Sequence, residues 1–406
     1  MSGPAPRLRN IETFPVEQDG ERYLALRDPA GYTPAVVLVP LGLLQVLALF
    51  DGERDVAAVQ AEVARSAGQP VRREHIESLI AALDDQGFLD SEAFARRRHE
   101  VDRTFLDAPS RPASHAGGAY PDDPVRLRAM MDGFFAPPAG PGTAAPFRGG
   151  GVGGLIAPHI DFHRGGPAYA WAYRDLAERG EADLFVVFGT CHAGMAHPFA
   201  LTRKDYDTPL GPARVDRDFV DALASRARQD CFGSELAHRN EHSIEFQAVF
   251  LQYLYAGHRD TAIVPVLTSF VHEALARGQG PEDDRRVRAF LDALAETAAA
   301  SGRRVAFIAG ADLAHVGPRF GDPAPISPAE LSVIDREDRQ MLAAVEAGDA
   351  AGFFESVRRD GDRRRICGLS PIYALLRALD GVPGTLRRYG QWPDPQGVVT
   401  FASVVF

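Results

Sequence analysis

The chain has 406 residues, of which 45% are hydrophobic and 24% charged, and it carries a formal net charge of −11 at pH 7. These values are typical of a globular protein of two or three domains, and they argue against a nucleic-acid-binding surface spread over the whole molecule. No apolar run reaches the ~18 to 20 residues of a membrane helix, no secretory signal is evident, and three cysteines are too few for a disulfide framework, so we expect a cytoplasmic protein.

The first hundred residues predict a small helical unit. Residues 1 to about 22 are mixed and polar, with three prolines, and we expect a weakly docked leader there. A strand is then predicted at 36–40 and helices at 41–50, 54–65 and 73–86. A charged helix over 94–105 connects this unit, residues 1–105, to the rest of the chain.

Residues 33–91 resemble the PqqD-type peptide-recognition domains. The resemblance rests on LVPLGLLQVLALFDGERDVAAVQAEV and REHIESLIAALDDQGFLDS, and it implies a winged-helix unit that binds a precursor peptide and presents it to a modifying enzyme. A small helical domain used only for packing or dimerisation is the alternative. DNA binding is disfavoured because Glu74, Glu77, Asp84 and Asp85 lie where a recognition helix needs basic residues.

The second domain, residues 112–406, alternates strands with helices. A helix is predicted at 124–135, and a Pro/Gly/Ala-rich stretch at 136–151 predicts a flexible surface loop or a lid. Strands then end near His159, His192 and His315, with a further strand at 261–267 and a last one at 397–406. Helices are predicted at 167–178, 216–228, 243–255, 283–301 and 328–346. The expected fold is α/β, with a largely parallel or mixed sheet covered by helices on both faces.

Three of these strands end on histidines, in LIAPHIDFH, LFVVFGTCH and VAFIAGADLAH. Open α/β sheets bind ligands beyond the carboxyl ends of their strands, so these side chains are expected to meet in one pocket. A single histidine at a strand end is more often an ordinary hydrogen-bonding group. The shared setting favours a site formed by His159, His192, Asp312 and His315.

A wider set of motifs resembles the Memo family, also described as AmmeMemoRadiSam system protein B. SHAGGAYP, LIAPHIDFHRGG, VVFGTCHAG, YDTPLGPARVD, EHSIEFQAVFLQ, IVPVL, GADLAHVG and RRRICGLSPI occur in the family's order across residues 112–406. The family's fold is similar to the class III extradiol dioxygenases, which use non-haem iron. The resemblance implies His159, His192 and Cys367 as metal ligands, with Asp312 and His315 as acid/base or supporting groups in the same cavity.

Two imidazoles and one thiolate, with positions left open, suit a transition metal. Iron(II) is the expected cofactor, with copper and zinc as alternatives. Arg363, Arg364 and Arg365 are expected to favour the thiolate form of Cys367.

The stretch Glu241-His242-Ser243-Ile244-Glu245 either opens a helix or places His242 in the cavity as a catalytic group. Glu245 is expected to hold a ligand imidazole rather than to ligate the metal itself.

Several neighbouring residues carry weaker expectations. His163 falls in a predicted loop, and Asp161 could reach a metal-bound water or cap the loop. Ile160-Asp161 replaces the commoner Ala-Gly and suggests altered substrate contacts. Cys191 is expected to be structural and to point away from His192. Four histidines are assigned to the surface or to packing: His197, His238, His258 and His272.

The leading functional prediction is a metal-dependent oxidoreductase of the Memo type, acting on a peptide or a small aromatic substrate. The resemblance also implies a radical S-adenosylmethionine (SAM) enzyme and an AMMECR-type protein as partners. Two alternatives stay open. One is a non-catalytic adaptor that binds a peptide and a partner, and the other is a zinc-dependent hydrolase with His315 or Asp312 as its base.

Overall fold

The computed structural model describes residues 5–67 and 71–406. The chain divides into two compact units, Met1–Asp107 and Ala108–Phe406. The first four residues of the predicted leader lie outside the described part. Among the helices that are described, none is both long enough and apolar enough to cross a membrane.

The smaller unit combines a three-stranded antiparallel sheet with helices. Its strands follow the order β1-β2-β3 in the sheet. Its elements are β1 (Glu12–Gln18), β2 (Glu21–Arg27), β3 (Val36–Pro40), α1 (Leu44–Leu47), α2 (Val56–Ala67), α3 (Arg73–Asp85) and α4 (Glu92–Asp107).

The prediction of a weakly docked leader is wrong for residues 12–22, which belong to a β-hairpin formed by residues 12–27. Asp19 and Gly20 both have positive φ, and an Asp-Gly pair in this conformation makes the two-residue turn that suits a hairpin. The strand β1 lies at the sheet edge and its side chains are largely exposed, so it carries little of the apolar pattern that marks a strand. Pro15 is tolerated because an edge strand leaves some backbone groups unpaired.

The larger unit contains one eight-stranded mixed sheet and most of the helices. Its elements are β4 (Ser110–Arg111), α5 (Pro124–Phe135), β5 (Gly154–Ala157), α6 (Phe162–Arg179), β6 (Leu184–Thr190), β7 (Phe199–Leu201), β8 (Asp205–Tyr206), α7 (Arg217–Ala227), α8 (His242–Tyr255), β9 (Ala262–Thr268), α9 (Val271–Arg277), α10 (Arg285–Ala300), β10 (Val305–Gly310), β11 (Asp312–Val316), α11 (Pro328–Glu346), α12 (Ala350–Arg358), α13 (Leu369–Leu379), β12 (Thr385–Asp394) and β13 (Gly397–Val405).

The centre of the large sheet is parallel, as the sequence predicts. Strands β5, β10, β6 and β9 run in parallel, and β6 is a nearly continuous buried run, typical of strands covered on both faces. The flanks are antiparallel. Strand β7 pairs with β9, and β13 pairs with β12, β5 and β11. The mixed α/β fold is confirmed.

Helices α8 and α13 cover opposite faces of this sheet. A side chain at Gly310 would meet Ser243 of α8, and one at Gly154 would meet Leu379 of α13. Gly154 pairs with Phe307, which lies three residues before Gly310. Because side chains alternate along a strand, the two glycines face opposite sides. The carboxyl edge of the parallel strands therefore receives residues from both layers of helices.

Helix α6 begins earlier than predicted, and this corrects the placement of His163. The Gly165-Gly166-Pro167 sequence suggested a loop before a helix at 167. A Cβ at Gly165 would meet Ile160, and one at Gly166 would meet Phe134. These glycines therefore allow close packing within the helix, and exposed His163 lies in its first turn.

Candidate metal centre

The ends of the parallel strands bring the predicted site residues to one edge. Ala157 of β5 and Gly189 of β6 are both aligned with Gly310 of β10. Since His159 and His192 follow the first two strands closely and Asp312 follows the third, the register alone brings these three residues near one another. This is the carboxyl-edge site that the three histidine-terminated strands predict.

His159 is buried and held in one orientation. Its backbone N–H donates to Asp312 Oδ1 at 2.9 Å, and its Nδ1 donates to Gly310 O at 2.9 Å. Its Nε2 then faces Cys367 Sγ at 3.1 Å. Burial lowers the pKa of His159, but interaction with Cys367 and Asp312 outweighs burial and brings it to about 9.

His192 is oriented by the carboxylate of Glu241. Its Nδ1 lies 3.0 Å and 3.1 Å from the two Glu241 oxygens, and its backbone N–H donates to Oε2 at 2.9 Å. Its Nε2 lies 3.3 Å from Cys367 Sγ. Burial raises the pKa of Glu241, but His192 outweighs this effect and the pKa lies well below its ordinary value. Such carboxylate–imidazole pairs fix metal-binding histidines with one nitrogen free.

Cys367 is placed by backbone bonds to β11. Its N–H donates to Leu313 O at 3.1 Å, and that of Gly368 donates to Asp312 O at 2.8 Å. Any side chain at Gly368 would collide with the carbonyl of Asp312, which explains the glycine. Burial raises the pKa of Cys367, but His159 and His192 outweigh it and the pKa lies well below its ordinary value.

The arginines before Cys367 do not act as the sequence analysis expects. Arg363 pairs with Glu337, Arg364 with buried Asp338, and Arg365 with Asp322 at 2.6 Å. Their charges are compensated by these acids, and the groups that lower the pKa of Cys367 most are the two imidazoles.

His242 lies in the same cluster, which favours the cavity interpretation of its motif. It opens α8, and that end of the helix approaches the sheet closely because Gly189 and Gly310 leave room for Ser243. Ligand atoms of His159, His192 and His242 all lie within 4.8 Å of one another, so this group could hold a metal ion. Burial lowers the pKa of His242 well below its ordinary value.

Asp312 and His315 share one face of β11 because of a β-bulge. Residues three apart on a regular strand face opposite sides, but here Asp312 pairs with Phe401 and His315 with Val399, so β11 contains one extra residue. Asp312 Oδ2 lies 3.6 Å from His159 Nε2, and burial raises its pKa. His315 packs edge-on against Phe320 at 5.0 Å and donates from Nδ1 to Leu313 O.

A buried ion pair between Arg111 and Glu245 supports the residues around the site. Arg111 Nη1 lies 2.5 Å from Glu245 Oε2, and neither side chain is exposed. Glu245 also accepts from His115 Nδ1 at 2.8 Å and from the Tyr120 hydroxyl. Burial raises the pKa of Glu245, but Arg111 outweighs it and the value falls to about 2. Glu245 therefore holds His115, and the carboxylate that contacts His192 is that of Glu241, not of Glu245.

Arg111 also fixes the backbone around Glu241. Its Nη2 donates to Glu241 O at 2.8 Å and its Nε to His238 O at 2.8 Å. His238 is fully buried, with Tyr206 OH donating to its Nδ1 at 2.7 Å and its own Nε2 donating to Ala200 O at 3.0 Å. Burial lowers the pKa of His238 to about 3.

His238 predicts a pH-dependent stability. An unfolded histidine takes up a proton near pH 6.5, whereas buried His238 does so only near pH 3, so stability is lost as pH falls through this interval. The loss contributed by His238 should approach about 1.4 kcal/mol per pH unit below pH 6. Urea unfolding of the wild type and His238→Gln between pH 6 and 4.5 measures it. The free energy of unfolding should depend less steeply on pH in the variant than in the wild type. The same pH dependence in both proteins would contradict the assignment to His238.

A cavity of about 280 Å³ opens beside His192 and Cys367. Its other lining residues are Thr190, Cys191, Gly194, Thr268, Ser269, His272 and Ser370. His272, expected at the surface or in packing, lies at this cavity with its Nε2 3.3 Å from Asp362 Oδ2. Cys191 is buried and borders the same cavity, and burial raises its pKa to about 11.

The remaining candidates lie apart from the donor atoms. Asp161 precedes α6 and pairs with Arg164 at 2.5 Å, which favours the local role over contact with a metal-bound water. Ile160 is buried against Ala168, Val399 and Phe401, so its side chain packs in the core rather than lining the cavity.

Three residues that contact or support the cluster were not predicted to belong to the site: Glu241, His115 and Arg111. Glu241 carried a signal, since it is an acid directly before His242. His115 lies in a motif that was noticed but given no role. Arg111 lies just before the residue at which the second domain was predicted to begin, and its partner Glu245 is 134 residues away.

Comparison with known proteins extends over both units. A family model described as Memo-like protein matches residues 111–399. A MEMO1 family protein of Aquifex aeolicus is 29% identical over 401 residues, which cover 98% of this chain and 99% of the relative. A MEMO1 family protein of Methanopyrus kandleri is 32% identical over 302 residues, covering 72% and 96% of the two chains. One from Pyrobaculum aerophilum is 31% identical over 272 residues, covering 64% and 85%.

Proposed function

The chain belongs to the Memo family, and from that membership and the geometry of its site we propose that it is a metal-dependent oxidoreductase. The observation that carries the proposal is the cluster of three donor atoms: His159 Nε2 and His192 Nε2 lie 3.1 Å and 3.3 Å from Cys367 Sγ. Both imidazoles are held through Nδ1, as histidine ligands are.

The donor set fits a transition metal, with His159, His192 and Cys367 as the ligands. Two imidazoles and a thiolate suit iron(II) or copper, and zinc is the competing occupant. When bound, a redox-active ion would supply electron transfer and an open position for a small oxidant or substrate. Metal binding would displace the protons that these three side chains otherwise hold.

Asp312, His242 and His315 are proposed to transfer protons and to orient the substrate. Asp312 is buried beside His159, and burial raises its pKa, which favours a role in proton transfer. His242 presents a second imidazole to the same centre. His315 lies on the same face of β11 as Asp312 and is partly exposed, so it could pass protons to solvent.

The substrate is proposed to be small or to be presented as an extended segment. A cavity of about 280 Å³ beside His192 and Cys367 is at the small end of ligand pockets and suits a compact aromatic molecule. The smaller unit is proposed to bind a peptide substrate. A radical SAM enzyme and an AMMECR-type protein are the proposed partners.

Metal content and oxygen consumption test the proposal together. Protein purified anaerobically should contain one iron or copper per chain by mass spectrometry, and it should consume oxygen with a panel of small aromatic compounds. Asp312→Asn should keep the metal, while oxygen consumption falls by about 100-fold or more. Zinc in place of a redox metal would favour hydrolysis, and a metal-free protein would favour the adaptor.

A further inference from the structure

The centre offers four donor side chains, one more than the three ligands of the proposed function. His159 and His192 lie close to both remaining donors. Cys367 Sγ contacts their Nε2 atoms at 3.1 Å and 3.3 Å. The ring of His242 lies 5.3 Å from that of His159 and 4.6 Å from that of His192, measured between centroids. Two overlapping sets of three ligands therefore share the same two histidines.

His242 lies beside the same carboxylate that is hydrogen-bonded to His192. The buried Glu241 carboxylate lies 3.0 Å from Nδ1 of His192 and 3.3 Å from Nδ1 of His242. A carboxylate at this position favours a proton on each Nδ1 and leaves each Nε2 with its lone pair free. Glu241 would thus prepare two imidazoles for one metal ion.

The two competing donors approach from opposite faces of the sheet. His242 is the first residue of α8, and Cys367 lies two residues before α13. Each is anchored by its own close backbone approach, at Gly189 and Gly310 for α8 and at Gly368 for Cys367. Either side chain could therefore complete a centre that His159 and His192 hold, while both backbone segments stay in place.

We propose that His242 is a metal ligand that alternates with Cys367, so that the ion is held by His159, His192 and whichever third donor its chemistry favours. The proposal rests on the metal centre of the proposed function. A soft ion such as copper(I) selects the thiolate, whereas iron(II) is well served by three imidazoles. The identity of the bound metal would then decide whether the Cys367 thiol is coordinated or free.

Single and double variants of the full chain separate alternation from a fixed ligand set. Iron(II) and copper(I) affinities are measured anaerobically for the wild type, Cys367→Ser, His242→Ala and the double variant. For iron(II), Cys367→Ser should stay within about tenfold of the wild type, whereas the double variant should bind at least about 100-fold more weakly than Cys367→Ser. For copper(I), Cys367→Ser should lose more affinity than His242→Ala.

X-ray absorption of the loaded wild type supplies a readout that does not depend on activity. Copper(I) should show a sulfur neighbour that is absent with iron(II). His163→Ala serves as the matched control, because its exposed imidazole lies outside the donor group, and it should bind both ions normally.

The outcomes distinguish this proposal from the one on which it rests. If Cys367→Ser no longer binds iron(II), or if the double variant binds as well as Cys367→Ser, His242 is not a ligand and the alternation is overturned, while the metal centre stands. If the wild type binds neither ion, both the centre and the alternation fail. Circular dichroism of each metal-free variant shows whether a loss of affinity comes from unfolding.

Discussion

His159→Ala should abolish metal binding and leave the fold intact. His159 belongs to both sets of donors at the centre, so no neighbouring side chain can replace it. We expect the affinity for iron(II) or copper(I) to fall by more than about 100-fold. The structural loss is smaller, since outside the donor cluster the imidazole makes one hydrogen bond, to Gly310 O, whose loss costs about 1–3 kcal/mol. Anaerobic titration and metal analysis measure the first effect, and thermal unfolding of the metal-free protein measures the second.

The matched control is His163→Ala, which removes an exposed imidazole four residues further along the chain. Its metal content should equal that of the wild type. His192→Ala provides a second test at a side chain that is 39% exposed and therefore contributes less to folding. One tightly bound metal per chain in both His159→Ala and His192→Ala would refute the proposed centre.

Arg111→Met should destabilise the larger unit by about 3–5 kcal/mol, the usual cost of leaving one partner of a buried ion pair alone. The substitution leaves the buried Glu245 carboxylate without its cationic partner. It also removes the hydrogen-bond donors to the carbonyls of Glu241 and His238. Arg111→Lys should recover only part of the loss, because an ammonium group cannot match the geometry of the guanidinium. Metal affinity should fall as well, since Glu241 orients His192.

Urea unfolding followed by tryptophan fluorescence measures this effect in the larger unit, because both tryptophans of the chain, Trp171 and Trp392, lie there. Arg277→Met is the control. It breaks an exposed helical ion pair with Glu273 and should change stability by less than about 0.5 kcal/mol. A loss below about 1 kcal/mol for Arg111→Met would mean that the buried pair is not an anchor of the site.

The bounds of a helix were predictable where an apolar pattern was accompanied by clear signals for the start of a helix. The helices at 124–135 and 328–346 begin and end as predicted, because each starts with a proline after a capping residue, Asp123 or Ser327. The prediction was wrong where glycines were required by tertiary packing and not by the local backbone conformation. Gly165 and Gly166 resembled a loop, yet they let α6 approach Ile160 and Phe134.

The site residues that directly follow a β-strand were predictable from the sequence. His159 and His192 follow buried apolar strands, and the parallel register brings those strand ends together. The supporting groups came from elsewhere. Glu241 lies 49 residues from His192, and Arg111 lies 134 residues from Glu245. Such pairings depend on the packing of α8 against the sheet, which no local pattern specifies.

The position of β13 also has a consequence for the order of events during synthesis. Strands β11 and β12 both pair with β13, which follows every proposed ligand in the chain. A nascent chain would thus expose its histidines and Cys367 to cellular metal before β11, with Asp312 and His315, had its partner strand. The cavity with Asp312 and His315 would therefore be complete only after residues 397–405 had left the ribosome.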